Sequence, residues 1–360
     1  MTRTKFKEFL NGGAFLQVGP DTFNLLIGPF ESTQQEFVSF SSDKSVIFQP
    51  HFWDFLDEKK PNEYLQATDS ELISRPELLN LLSDVDVGEI KIDWEEVSFE
   101  NFNEQFVWSQ KKFDSHQLQK TVPIIRQTGR FRLTEQSLSR ILKNLISEKK
   151  MGWSYGFWQN GQGYLGHSPE LICQWNQNLG LLKTTALAGT WPAGPTASEK
   201  LLADSKNLQE HQFVIEDMVK KLSHEPTFKQ YKTEILELRH LVHLKTDFSL
   251  ATDSAKQAVN IVQKLHPTAA LGLFPPDAKS YEEFKKIQLP LARKNFGAPF
   301  AFIGTESVLA IASIRNFHFT LNEIQIFSGC GVTAVSSSEN ELTELTYKRN
   351  SVKKMMGFSE

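Results

Sequence analysis

Residues 184–194 read TTALAGTWPAG. A branched, apolar, strand-like run ends in the small residues Ala186, Ala188 and Gly189, followed by Thr190 and a Pro/Gly turn. Small side chains let backbone amides come close to a bound anion, and they equally suit a tight strand-to-loop corner. A second stretch has the same character. In FSGCGVTAVSSSENE (327–341), Gly329 and Gly331 lead towards an acidic helix start.

Outward from these two segments, the chain alternates short strands and helices. GAFLQVG (13–19), FNLLIGPF (23–30) and KSVIFQPHF (44–52) read as strands, being branched or aromatic and punctuated by Gly, Pro and Asp. SELISRPELLNLLSD (70–84) reads as helical, and a Trp/Phe-rich segment follows up to Trp108. From Lys120 a second strand-rich half begins with KTVPIIR (120–126), GYLGHSPELICQW (163–175) and LGLLKTTALAGT (179–190). Helices are expected over 207–222, with Phe213, Val214, Met218 and Leu222 on one face, and over 339–356. The last helix carries an S-x-x-E capping box at Ser338 and Glu341, an apolar stripe of Leu342, Leu345, Val352 and Met356, and Gly357 as its stop. Glu341, Glu344 and Lys348 share another face, where acids near the start and bases near the end also suit the helix dipole.

Composition narrows the function classes. The 360 residues are 40% hydrophobic and 23% charged, which is enough for a large core and too apolar for disorder. Thirty-nine Lys and Arg against 43 Asp and Glu leave a net charge of −4. That excludes a general electrostatic grip on nucleic acid or an anionic membrane, but not a local basic pocket. Twenty-eight Phe against six Tyr and seven Trp favour dry packing. Cys173 and Cys330 fit neither a disulfide framework nor a metal-ligand spacing. The N-terminal residues lack the apolar stretch of a signal peptide, and no run approaches the length of a membrane span, so a cytoplasmic protein is expected.

Individual residues leave alternatives open. Glu170, after Pro169 in an apolar run, is either exposed by strand alternation or buried with a raised pKa that suits a general acid. Glu210 and His211 look like a solvated pair at a helix start, and His243 and His266 like core or surface histidines. Arg315, in ASIRNF, is an arginine inside an apolar strand and calls for a carboxylate partner.

The order of the segments carries more than any one of them. SPEL (168–171), ALAGT (186–190), the EH at Glu210, VHLKT (242–246), LHPTAALG (265–272), FGAPFAF (296–302), ASIR (312–315), SGCGV (328–332) and ENELTELTYK (339–348) together resemble the chorismate-utilising enzymes. That family comprises the isochorismate, salicylate, anthranilate and aminodeoxychorismate synthases. The resemblance covers the chain from about residue 115 onward. It implies an α+β fold like that of anthranilate synthase component I, with two stacked, largely antiparallel sheets flanked by helices. Residues 1–110 would add a strand-rich layer to a chorismate-binding catalytic region over 111–360.

The resemblance also implies roles. Mg²⁺ would be held by Glu210 and Glu344, with Glu341 orienting a metal-bound water. Arg315 and Lys348 would contact substrate carboxylates, helped by backbone N–H groups near Gly189 and Gly329. Glu170 would protonate the departing C4 hydroxyl. Thr190, His243 and Thr246 would line the ring pocket, and Ala270 and Phe296 would form its apolar walls.

The nucleophile selects the reaction. Aminodeoxychorismate synthases carry a covalent Lys where this chain has Ala188. Ammonia-using members draw on a glutaminase partner, which is not expected here, and have a Gln where water-using members have a basic Lys. Lys120 is the candidate for that Lys, although KTVPIIR aligned without a gap on Arg126 puts Thr121 there instead. Pro123 removes a strand donor and points to an edge or a bulge that would restore the register. The expected activity is that of an isochorismate synthase, an isomerase of menaquinone or siderophore biosynthesis. A salicylate synthase, an ammonia-using synthase and an inactive chorismate binder are the alternatives.

Overall fold

The computed structural model describes residues 1–33, 45–57, 59–86, 88–147, 149, 151–237 and 241–359. Lys44, the first residue of the strand expected over 44–52, lies outside them. Two large antiparallel sheets stack face to face. The first runs in the order Asp69–Ser74, Thr22–Ile27, Gly13–Gly19, Trp153–Gln159, Gln162–Ser168, Asn316–Phe319, Glu323–Gly329, Ile124–Arg130 and Asp93–Trp94. The second runs Lys229–Gln230, Leu241–Ala251, Leu181–Pro192, Leu171–Asn176, Ser307–Ala312, Pro299–Ile303, Val46–Phe48, Tyr64–Gln66 and Glu31–Thr33.

Alternation along the strands builds three apolar layers. Ala14, Leu16, Leu26, Ile47, Tyr155, Tyr164, Phe300, Phe302 and Ile311 come from both sheets and fill the space between them. Behind the first sheet, the helices Arg3–Asn11, Glu135–Ser147 and Ser338–Met356 bury Phe9, Ile141, Leu145, Val352 and Met356 against Phe15, Leu165 and Phe317. Behind the second, Ser205–Leu222 and Ala255–Leu265 bury Val214, Met218, Leu222, Val262 and Leu265 against Trp175, Ala186 and Phe248. The fold is therefore the α+β arrangement of two sheets flanked by helices, and strands before residue 110 pair with strands after it in both sheets.

Several elements differ from the sequence reading. SELIS is the edge strand Asp69–Ser74, and the helix starts only at Arg75, where Ser74 and Glu77 cap each other reciprocally. The aromatic stretch before Trp108 continues as the helix Glu100–Asp114. The last helix is capped by Ser337, whose side chain accepts from the Asn340 N–H, so the Ser338–Glu341 box does not form. Gly357 does end that helix, at φ 77°.

Pro123 interrupts the strand in KTVPIIR without slipping it. Ile124 pairs with Gly329 and Thr121 pairs with Val332, so two residues intervene on each side and the register is unchanged. Of the edge or bulge expected at Pro123, the edge is found: Asp93–Trp94 pairs only with Gly129 and Arg130, no bulge forms, and Lys120 and Thr121 keep opposite faces. Thr121 turns its hydroxyl to Ser109, 2.7 Å away, while Lys120 turns its amine to the interior.

Candidate active site

The site lies among the strands Leu181–Pro192 and Leu241–Ala251 of the second sheet, the end of Glu323–Gly329 in the first, and the helices Ser205–Leu222 and Ser338–Met356. Glu170 follows Pro169 in the break between the strands Gln162–Ser168 and Leu171–Asn176. That break removes strict alternation and turns the carboxylate inward, where it is 6% exposed rather than solvated. Burial pushes its pKa up to about 7 against the charges of Lys120 and Lys348, so it exchanges its proton near neutral pH.

Gly189, within ALAGT, stands at φ 76°, with the space a Cβ would fill only 2.9 Å from the Asn207 carbonyl. A bulge at this point separates Ala188 from Thr190, which faces His243 across the strand pair. The Thr190 N–H donates to Asn207 Oδ1 at 2.8 Å, and its hydroxyl lies 3.0 Å from His243 Nδ1. Burial holds His243 near a pKa of 3, with Arg315 and Lys348 acting in the same sense, so its imidazole is neutral.

The helix Ser205–Leu222 lies on the strand Leu181–Pro192 and carries Lys206, Glu210 and His211. Glu210 and His211 are not a solvated pair: both are buried. His211 Nε2 meets the Thr246 hydroxyl at 2.8 Å, and Thr246 in turn meets Thr233. Thr246 therefore stands behind His211 and does not line the cavity, contrary to its expected place at the ring pocket.

Lys120 is fully buried. Its Nζ donates to the Ala269 carbonyl at 2.5 Å and lies 3.4 Å from Glu210 Oε1. Burial lowers its pKa, although Glu210 opposes the shift. Burial also acts to raise the Glu210 pKa, but Lys206, Lys120 and Lys348 outweigh it and hold the carboxyl down at about 2. Asp217 fixes Ala269, the acceptor of the Lys120 amine, by accepting its N–H at 2.9 Å.

The last helix brings in Glu341, Glu344 and Lys348. Lys348 Nζ is 2.5 Å from Glu344 Oε1 and donates to the Gly329 carbonyl at 2.8 Å. The Gly329 carbonyl thus fixes the Lys348 ammonium at the cavity. Arg315 sits in a bend with φ 52°, not inside a strand. Its Nη1 donates to Ser351 at 3.1 Å, and burial pulls its pKa to about 10 against the charge of Glu344. Among the described residues no carboxylate lies within ion-pair distance of Arg315, so the fixed partner expected from sequence is absent and its charge is available to a ligand.

Ten of the expected residues line one cavity of about 80 Å³: Glu170, Gly189, Thr190, Glu210, His243, Ala270, Phe296, Arg315, Gly329 and Lys348. Lys120, Glu341 and Glu344 stand at its margin through their ion pairs. His266 lies elsewhere, bonded to the Phe52 carbonyl beside a larger cavity of about 750 Å³ that contains no expected site residue.

Lys206 and Arg293 escaped the sequence reading, and Gly331 was read there only as a glycine leading into the last helix. Lys206 bridges Glu210 Oε2 at 3.4 Å and Glu341 Oε1 at 3.1 Å. Gly331 must lack a side chain, because a Cβ there would fall 1.9 Å from Glu210 Oε1 and 2.8 Å from Lys120 Cε. Arg293, buried in the cavity wall, ties the Phe296 and Leu271 carbonyls together and so sets the two apolar walls. Lys206 was hidden by its i,i+4 spacing to Glu210, which reads as an ordinary solvated helix pair.

The donor chemistry fits a hard divalent cation. Glu210, Glu341 and Glu344 all face the Lys206 ammonium, and Glu341 Oε2 is buried with no partner. As they stand, no three acidic, His or Cys side chains among the described residues are drawn together closely enough to hold a metal; the ammonium of Lys206 lies between them.

Comparison with known proteins now places the chain. The family of chorismate binding enzymes matches residues 58–357, and the chain belongs to it. Its relatives include the isochorismate synthase MenF of Escherichia coli K12, 28% identical over 192 residues, which are 51% of this chain and 43% of that one. The isochorismate synthase EntC of the same organism is 26% identical over 231 residues, covering 60% and 57%. The matched stretch spans about half the length of these curated relatives. In three dimensions the chain superposes on DhbC of Bacillus anthracis, a candidate 2,3-dihydroxybenzoate-specific isochorismate synthase, with a TM-score of 0.79 at 19% identity, covering 97% of both chains. Anthranilate synthase component I of Streptococcus pneumoniae shares the fold, with a TM-score of 0.66 at 13% identity over 90% of this chain and 83% of that one. No helix among the described residues is long and apolar enough to cross a membrane.

Proposed function

We propose that the chain is an Mg²⁺-dependent isochorismate synthase, an isomerase that adds water at C2 of chorismate as the C4 hydroxyl departs. The observation that carries this reading is the pairing of Lys120, a buried amine with a lowered pKa, with Glu170, a buried carboxyl whose pKa is raised to about 7. These are the opposite tunings that a base and an acid need to act together near neutral pH.

Lys120 takes the proton from the attacking water. Its amine is held by the Ala269 carbonyl and Glu210, so it cannot swing away from the cavity. Glu170 gives its proton to the leaving hydroxyl, and the water gained and the water lost balance. Arg315 and Lys348 neutralise the substrate carboxylates. Neutral His243, fixed by Thr190, together with Ala270 and Phe296, confines the ring. Glu210 and Glu344 would hold Mg²⁺, with Glu341 orienting a water on it. When bound, the ion supplies a Lewis acid for the ring carboxylate. Ala188 offers no amine for covalent attack, and Lys120, rather than the Gln of ammonia-using members, makes water the nucleophile in this reading.

The relatives MenF and EntC, isochorismate synthases by name, support the same reaction. Incubation of the protein with chorismate and Mg²⁺ alone, followed by chromatography, tests it. Isochorismate is the expected product. Salicylate with pyruvate would convert the assignment to a salicylate synthase, and an absence of turnover would end it.

A further inference from the structure

The three acids assigned to the metal are not waiting empty-handed. Lys206 Nζ lies 3.4 Å from Glu210 Oε2 and 3.1 Å from Glu341 Oε1, and Glu344 also acts on it through space. Lys120 takes the other oxygen of Glu210, and Lys348 takes Glu344.

On a helix surface, an i,i+4 pair such as Lys206–Glu210 is screened and weak. Here the Lys206 side chain is 19% exposed and that of Glu341 only 3%, so the ammonium sits in a space shared by carboxylates rather than in water. Its donors do not satisfy the set, because Glu341 Oε2 remains buried and unpartnered. A divalent ion takes several oxygens at shorter range and carries twice the charge, yet it needs the same lone pairs. An ammonium and a metal ion cannot both occupy the space between Glu210 and Glu341.

We propose that Lys206 is the resident counter-cation of the Glu210–Glu341–Glu344 cluster and is displaced from it when a divalent cation binds. The inference rests on the reading in which Glu210 and Glu344 hold Mg²⁺. Lys206 keeps the buried carboxylates neutralised in the metal-free protein, and its four-carbon stem lets the ammonium leave towards solvent while the helix stays in place. Cation affinity is then set by a competition inside the protein.

The test needs no turnover. Calorimetric titration of the substrate-free full chain with Mg²⁺ is compared with Lys206→Met and Lys206→Arg. Lys206→Met removes the competing charge at similar length and is expected to bind Mg²⁺ at least about tenfold tighter than wild type. Lys206→Arg keeps a cation and is expected to bind no tighter than wild type. A second readout uses the unaltered protein: reductive methylation followed by mass spectrometry, in which Lys206 is expected to label several-fold faster with saturating Mg²⁺ than with a chelator. Equal or weaker binding by a folded Lys206→Met, or Lys206 labelling indifferent to Mg²⁺, would overturn the proposal, as would a wild type and variant that both bind no cation. If Lys206→Met does not fold, the labelling result decides. Conversion of chorismate is scored separately, so the reaction can be misassigned while the displacement stands.

Discussion

Lys120 Nζ lies 3.4 Å from Glu210 Oε1 in a pocket from which the lysine is wholly excluded from water. Gly331 makes that approach possible, since any side chain at that position would enter the contact. The base and a metal-ligating acid of the proposed reaction are thus coupled directly, and each constrains the charge of the other.

Lys120→Ala removes the amine that accepts a proton from water. A general base contributes about 10²–10⁴-fold, so kcat is expected to fall by that order while chorismate still binds. Steady-state kinetics together with titration of chorismate into the variant separate the two. Full activity in the variant would remove Lys120 from the mechanism and return Thr121 to consideration.

Glu170 gives two dependences on pH. In the free enzyme its carboxyl must be protonated to act, so kcat/KM is expected to decline as pH rises through about 7. Stability follows the same group. Its folded pKa, about 7, is above the unfolded value of 4.5, so the native state binds the extra proton between those values. Stability from this group is complete below about 4.5 and is lost as pH rises towards 7. Glu170→Gln abolishes that loss, and its stability relative to wild type should improve by roughly 3 kcal/mol between pH 4 and pH 8. Urea unfolding at both pH values checks the sign, and a gap that does not widen with pH would refute it.

Gly331→Ala places a methyl group on the Glu210–Lys120 contact. Glu210 must move, so Mg²⁺ binding and turnover are expected to fall together, with a loss of roughly 1–3 kcal/mol in stability from overpacking. Gly189→Ala strains a left-handed backbone against the Asn207 carbonyl and is expected to lose a similar amount. Thermal unfolding in the presence of a chelator isolates both effects from the metal.

Thr246→Val leaves His211 Nε2 without its hydroxyl partner. The cost is expected at about 1–3 kcal/mol of stability, with chorismate affinity nearly unchanged because Thr246 stands behind the cavity wall. A large loss of affinity at unchanged stability would return Thr246 to the ring pocket.

The sheets, the helices over 207–222 and 339–356 and most of the cavity lining were legible in the sequence, because periodicity and ordered motifs report local structure directly. Charge pairing across elements was not. Lys206 meets Glu341 from a helix 135 positions away in the chain by subtraction of their numbers, and no local pattern announces it. Glu170 was ambiguous because alternation predicts exposure only while a strand is continuous, and Pro169 interrupts it. Arg315 looked like a strand residue until its positive φ placed it in a bend, where Ser351 rather than a carboxylate receives it. The cap moved from Ser338 to Ser337 because Glu341 is drawn to Lys206 instead of folding back on its own helix.

In the proposed reaction, water activated by Lys120 displaces the C4 hydroxyl of chorismate without ammonia or a partner subunit. Its most direct measurement is the product of chorismate, Mg²⁺ and the purified chain in H₂¹⁸O, resolved by chromatography and mass spectrometry. Isochorismate carrying one ¹⁸O at C2 is the expected result. Unlabelled isochorismate, or a product that forms only when ammonia is added, would contradict the account.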